Sequence, residues 1–162
     1  MVPTIQSRLR HVIRTPIGTF EDRYWEKTPS QEQFYDAVRY WSNRLMLGGF
    51  KIETNMVAAD WFIRNRDDGK YEHGLCERQE RGCYARIYVR DPESWFPPDS
   101  ILPHDWERTL VHELLHLVLL PVCPGESGPE EELVITRLTE AFLDGHRTPW
   151  TEMTVRDNPE EA

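Results

Sequence analysis

Apolar residues return along the chain at two different periods, and the alternation between them predicts an α+β order of elements. After Ser30, the residues Phe34, Val38, Trp41 and Leu45 fall three or four apart, the spacing of one face of an amphipathic helix. "SQEQF" places an N-cap serine three residues before Gln33, a capping-box arrangement, and Gly48-Gly49 is expected to stop the helix. Beyond the glycines, Phe50, Ile52, Thr54 and Met56 alternate with Lys51, Glu53 and Asn55, which is strand periodicity. "WFIR" at 61–64 reads as a second strand followed by a turn at "RDDGK". Cys83, Ala85, Ile87 and Val89 alternate with Tyr84, Arg86, Tyr88 and Arg90 as a third, and Cys76 and Cys83 are expected to face each other across a hairpin turning at "RQERG". His73, Cys76 and Cys83 also hold soft donors, but their spacing does not match common zinc sites.

The proline-rich run "DPESWFPPDSILP" reads as a loop. A helix is then expected with Pro103 in its first turn, Asp105 and Glu107 adding the negative charge favoured near a helix start, and a stop at Pro121. A last helix spans Glu130 through Leu143, with Leu133, Val134, Leu138, Ala141 and Phe142 as its buried stripe. Residues 1–29 read as an irregular extension packed on the body through Tyr24 and Trp25, residues 30–147 as one domain, and residues 148–162 as an acidic, flexible tail.

Composition agrees with one domain. The 162 residues are 39% hydrophobic and include six tryptophans, enough apolar surface to offset chain entropy. A net charge of -9 argues against a broad nucleic-acid surface and leaves only the N-terminal arm, with Arg8, Arg10 and Arg14, as a basic patch for an anionic partner. No stretch reaches the roughly 18 uninterrupted apolar residues of a membrane span, and the N-terminus lacks a leader pattern, so a cytoplasmic location with no membrane partner is expected. Three cysteines in that setting are expected to be reduced.

The chemistry sits in "TLVHELLHLVLL", residues 109–120. Between Leu110 and Leu120 only His112, Glu113 and His116 are polar, so this helix must be buried, and hiding these groups costs several kcal/mol unless they are paired or bind a metal. Residues four apart share a helix face, so His112 and His116 can present two nitrogens to one ion while Glu113 stands beside them as a general base. That is the HExxH arrangement, in which zinc keeps a position for a water whose pKa it lowers. A third ligand must come from downstream. Glu131 shares a face with Ile135, Leu138 and Phe142 and is preferred; Glu132, aligned with Thr136 and Thr139, is the second choice.

"TLVHELLHLVLLPV" followed by "EEELVITRLTEAFL" resembles the small phage and prophage metallopeptidases of the gluzincin-like minimal zincins, distantly similar to the ImmA/IrrE peptidases. The resemblance covers about residues 31–145. It implies a minimal zincin-like fold: an N-terminal helix, a small twisted sheet of three to four strands, the HExxH helix and a C-terminal ligand helix. It also implies a zinc-dependent peptidase with one zinc ion, Glu113 as catalytic base, and an edge strand at Ala85, Arg86, Ile87, Tyr88 and Val89 that binds an extended protein or peptide substrate. The chain departs from ImmA-like members in lacking Ala-Asn after a ligand glutamate, so the resemblance does not choose between Glu131 and Glu132. An SprT-like reading makes His146 the third ligand, and His146 or Tyr88 can instead steady an oxyanion. The rival expectations are a zinc hydrolase acting on a non-peptide bond, and a non-catalytic binding module in which zinc only organises the core.

Overall fold

The computed structural model describes residues 24–66, 68, 72–79, 82–95, 104–125 and 128–147. The arm with Arg8, Arg10 and Arg14, most of "RDDGK", Pro103 and the tail from residue 148 lie outside them. Among the described residues the chain forms four α-helices and one three-stranded sheet, an α+β fold.

Helix α1 (Gln31–Arg44) starts as its sequence dictates. Ser30 Oγ accepts from Gln33 N at 3.2 Å, while Gln33 Oε1 accepts from Ser30 N at 2.8 Å. Phe34, Ala37 and Trp41 form its buried face. It does not stop at the glycines. Met46 takes the left-handed conformation (φ 57°), so that Leu47 N reaches Ser42 O at 2.8 Å and Met46 N reaches Asn43 O at 3.1 Å. This is a Schellman ending with methionine where glycine is usual, anchored by the buried side chain of Leu47.

The sheet has the order β1-β3-β2, built from β1 (Lys51–Val57), β2 (Gly74–Arg78) and β3 (Tyr84–Arg90). β1 runs parallel to β3, and β2 is antiparallel to β3. A parallel neighbour requires a crossover. That requirement explains why "WFIR" belongs not to a strand but to helix α2 (Ala59–Asn65), which lies in the connection. Ala59 and Phe62, one turn apart, are its buried residues, and Asp60 pairs with Arg64 at 3.0 Å. Local β-propensity yields here to the topology.

Ala85, Arg86, Ile87, Tyr88 and Val89 occupy the central strand, not an edge. The open side of β3 is filled by β2, a five-residue strand too short and mixed in polarity to stand out in the sequence. The hairpin register sets Cys76 opposite Ile87, so Cys76 and Cys83 do not face each other, and Cys83 is exposed.

Helix α3 (Trp106–Leu119) begins three residues after Pro103 because Asp105 is the cap, its carboxylate accepting from Arg108 N at 2.9 Å. Leu110, Leu114, Leu115 and Leu117 are all but fully buried. At roughly 1.5–3 kcal/mol for each buried leucine, these four match the net stability of a whole domain, which makes α3 the centre of the core. Helix α4 (Pro129–Arg147) runs past Leu143, so His146 lies on its last turn. Its buried residues are Glu131, Ile135, Thr139 and Leu143, while Leu133, Val134 and Ala141 are exposed. The expected stripe is thus rotated, because α4 is locked to α3 by polar contacts at both ends. At one end the fully buried Glu107 accepts from Trp41 Nε1 at 3.0 Å and from Arg147 Nη2 at 2.7 Å. Arg147 also binds Asp105 at 2.6 Å and lies 4.2 Å over the ring of half-buried Trp25, which itself packs on the core.

Met46 is 89% exposed and gains nothing from its side chain. Relieving its left-handed strain by Met46→Gly is expected to stabilise the fold by about 1 kcal/mol, offset in part by the greater freedom of glycine when unfolded. Urea unfolding checks this, and an unchanged or lower midpoint would count against the helix ending described.

Candidate metal centre

His112 and His116 sit one turn apart on α3, with ring centroids 5.3 Å apart. The first turn of α4 brings its carboxylates against them. His112 Nε2 lies 3.1 Å from Glu132 Oε2, and His116 Nε2 lies 3.5 Å from Glu132 Oε1. One donor atom from each of these three residues falls within 4.8 Å of the others. Among the described residues no other such group occurs.

Glu131 is placed differently from the preferred expectation. Its Oε1 meets His116 Nδ1, the far nitrogen of the ring, at 3.0 Å, and also accepts from Arg78 Nη1 at 3.0 Å. Glu131 does turn into the core, on the face it shares with Ile135. A cleft, however, is lined by the residue at the margin of the buried face, and half-buried Glu132 occupies that margin.

His146 belongs to neither the donor group nor the cleft. Its Nδ1 contacts Tyr40 Oη at 3.2 Å, and its Nε2 lies 3.7 Å from Glu107, at the other end of the α3 and α4 pair. Tyr88 stacks on Trp61 with centroids 4.1 Å apart, on the sheet face opposite buried Ala85, Ile87 and Val89. Neither is set to act as an oxyanion stabiliser, and His146 is not set to act as a ligand.

The cleft has a volume of about 750 Å³. β2 supplies one wall through Gly74, Cys76 and Arg78, and α3 supplies the other through His112, Glu113 and His116. Burial, then the like charges of Glu132 and Glu72, push the Glu113 carboxyl up to about 8 against the pull of Arg66. Burial and the neighbouring His116 hold His112 below its ordinary value, with Glu132 opposing, which favours the neutral imidazole that metal ligation requires. Burial works to raise the Glu131 carboxyl, but its hydrogen bonds with His116 and Arg78 outweigh this and hold it low. Burial and Glu113 push the Cys76 thiol up to about 12, which keeps it protonated.

Two residues in this cleft escape sequence reasoning. Arg78 gives no local signal, because its partners lie 38 to 53 positions away. Gly74 does give a signal, since a glycine at a strand often marks a close approach. A Cβ placed there meets Glu113 Oε1 and Thr109 Cγ2, each at 2.5 Å. No protein-family model, curated protein or solved structure matches the chain.

Because the Gly74 backbone is not left-handed, its requirement is space alone. Gly74→Ala is therefore expected to push the Glu113 carboxylate aside and to cost about 1–3 kcal/mol as overpacking does. Unfolding at equilibrium would measure it, and a variant as stable as the parent would refute the close approach.

Proposed function

We propose that this cleft is the active site of a zinc-dependent peptidase, with His112, His116 and Glu132 as ligands of one zinc ion and Glu113 as general base. The observation that carries the reading is the convergence of two imidazoles and a carboxylate beside a buried glutamate in an open cleft. The donor set suits zinc. Tetrahedral ligation at about 2.0–2.1 Å separates ligand atoms by about 3.3–3.4 Å. The Glu132 contacts at 3.1 Å and 3.5 Å bracket that spacing. The minimal zincin resemblance points the same way.

A zinc ion held there supplies Lewis acidity towards a peptide carbonyl and towards water. Glu113, next in sequence to one ligand and walled by Gly74, takes a proton from the attacking water and hands it to the departing amine. The strand that receives an extended peptide is β2. In its register with β3, Arg90 N bonds His73 O at 2.8 Å, so the N–H and C=O groups of Gly74, Cys76 and Arg78 point away from β3 along the edge. A substrate strand laid there passes the Glu113 carboxylate. The cleft also favours Glu132 over His146, and so the minimal zincin over the SprT-like alternative. Among the described residues no helix is long and apolar enough to cross a membrane.

The purified protein is expected to hold one zinc per chain by metal analysis, with Glu132→Ala losing the ion. Glu113→Gln should keep the metal and lose cleavage of a mixed peptide library followed by mass spectrometry. Absence of stoichiometric zinc, or full cleavage by Glu113→Gln, sinks the reading. A metal that stabilises the fold without any cleavage or inhibition by a hydroxamate supports a binding module instead.

A further inference from the structure

Arg78 closes β2 with a side chain only 9% exposed. Its Nη1 donates to the carbonyl of His116 at 2.9 Å and to Glu131 Oε1 at 3.0 Å, and its Nη2 donates to the carbonyl of Gly125 at 2.5 Å. One guanidinium thus fastens the edge strand to α3, to the α3 to α4 connection and to the first turn of α4. The oxygen it holds, Glu131 Oε1, is also the one that meets His116 Nδ1 at 3.0 Å. Arginine can only donate, so Glu131 is an acceptor toward it, and an ionised carboxylate also accepts from the imidazole. Nδ1 then carries the hydrogen. In a neutral ring this leaves the lone pair on Nε2, the nitrogen that lies 3.5 Å from Glu132.

We propose that Arg78 and Glu131 are a positioning pair for His116. Glu131 sets the tautomer and the plane of the ring, and Arg78 sets Glu131, so metal affinity depends on two residues that do not themselves ligate the ion. The inference rests on the reading of His112, His116 and Glu132 as a zinc centre. An outer carboxylate on a ligand histidine fixes its orientation and raises its basicity, and loss of such a partner typically weakens metal binding about 10- to 100-fold. Here the carboxylate is itself buried, and Arg78 holds the same oxygen that meets the imidazole, so the arginine is what aims it.

The test uses the full chain, stripped of metal and titrated with zinc against a chromogenic chelator, with circular dichroism of each metal-free variant as a check on folding. Glu131→Ala is expected to bind zinc about 10- to 100-fold more weakly, and Arg78→Ala to shift in the same direction. Glu131→Gln keeps an acceptor without the charge, and Arg78→Lys keeps the charge without the planar fork, so both fall between these and the parent. Cobalt substitution adds a readout that a purely structural pair would not move: the visible bands of Glu131→Gln shift as the charge behind the His116 ring is lost. The conservative variants carry the test if the alanine variants do not fold. Zinc affinity and cobalt spectrum identical to the parent in Glu131→Gln and Arg78→Lys overturn the positioning role. A parent chain that binds no zinc overturns the metal centre, and the positioning role with it.

Discussion

Everything in this fold answers to the burial of α3. Ten of the fourteen residues of the helix are buried against α1, α4, β2 and β3, and Glu107, Glu113 and His116 are among them. An unpaired polar group left there costs several kcal/mol, comparable with much of the net stability of a small domain. Glu107 and His116 find partners on other elements, and those partners fix how the other elements are placed. Glu107 takes Trp41 from α1 and Arg147 from the end of α4. His116 takes Glu131 from the start of α4. A helix held at both of its ends by buried polar contacts has no freedom to rotate, which is why α4 exposes Leu133 and Val134 while it buries Glu131 and Thr139.

The same constraint decides what can be read from the sequence. Elements that local chemistry specifies are legible: the capping box at Ser30, the alternation along β1 and β3, and the wholly apolar run around the HExxH residues. Elements set by long-range pairing are not. The residues of α2 favour strands by composition and become helical because β1 and β3 are parallel. β2 gains its identity only from the partner it meets on β3. The neighbours Glu131 and Glu132 differ by one helical step, about 100° of rotation, which is enough to point one at the back of an imidazole and the other into the cleft. No periodicity of apolar residues resolves that step, because polar contacts rather than hydrophobic ones set the phase.

Carboxylates gather around the cleft. Glu72, Glu113 and Glu132 face the cleft, while the two arginines on its walls are each engaged by carboxylates, Arg66 by Asp68 and Arg78 by Glu131. The upward push on Glu113 has the same origin: burial and two like charges outweigh the single opposing charge of Arg66. A divalent ion held between the two imidazoles would lower the cost of keeping Glu113 ionised.

β2 is short, but three of its features bear on that centre in different ways. Gly74 lacks the side chain that would occupy the space of the Glu113 carboxylate. Cys76 fills the wall between the two flanking positions with a thiol that burial keeps neutral. Arg78 reaches across to the carbonyl of His116 and to Glu131. All three side-chain positions fall on one face of the strand, two residues apart, while the backbone groups of the same residues point outward along the edge. An extended peptide added to that edge would therefore bond to the very residues that shape the site behind it. In the peptidase proposed above, substrate binding and the geometry of the base and of one ligand would then be joined through the five residues of β2.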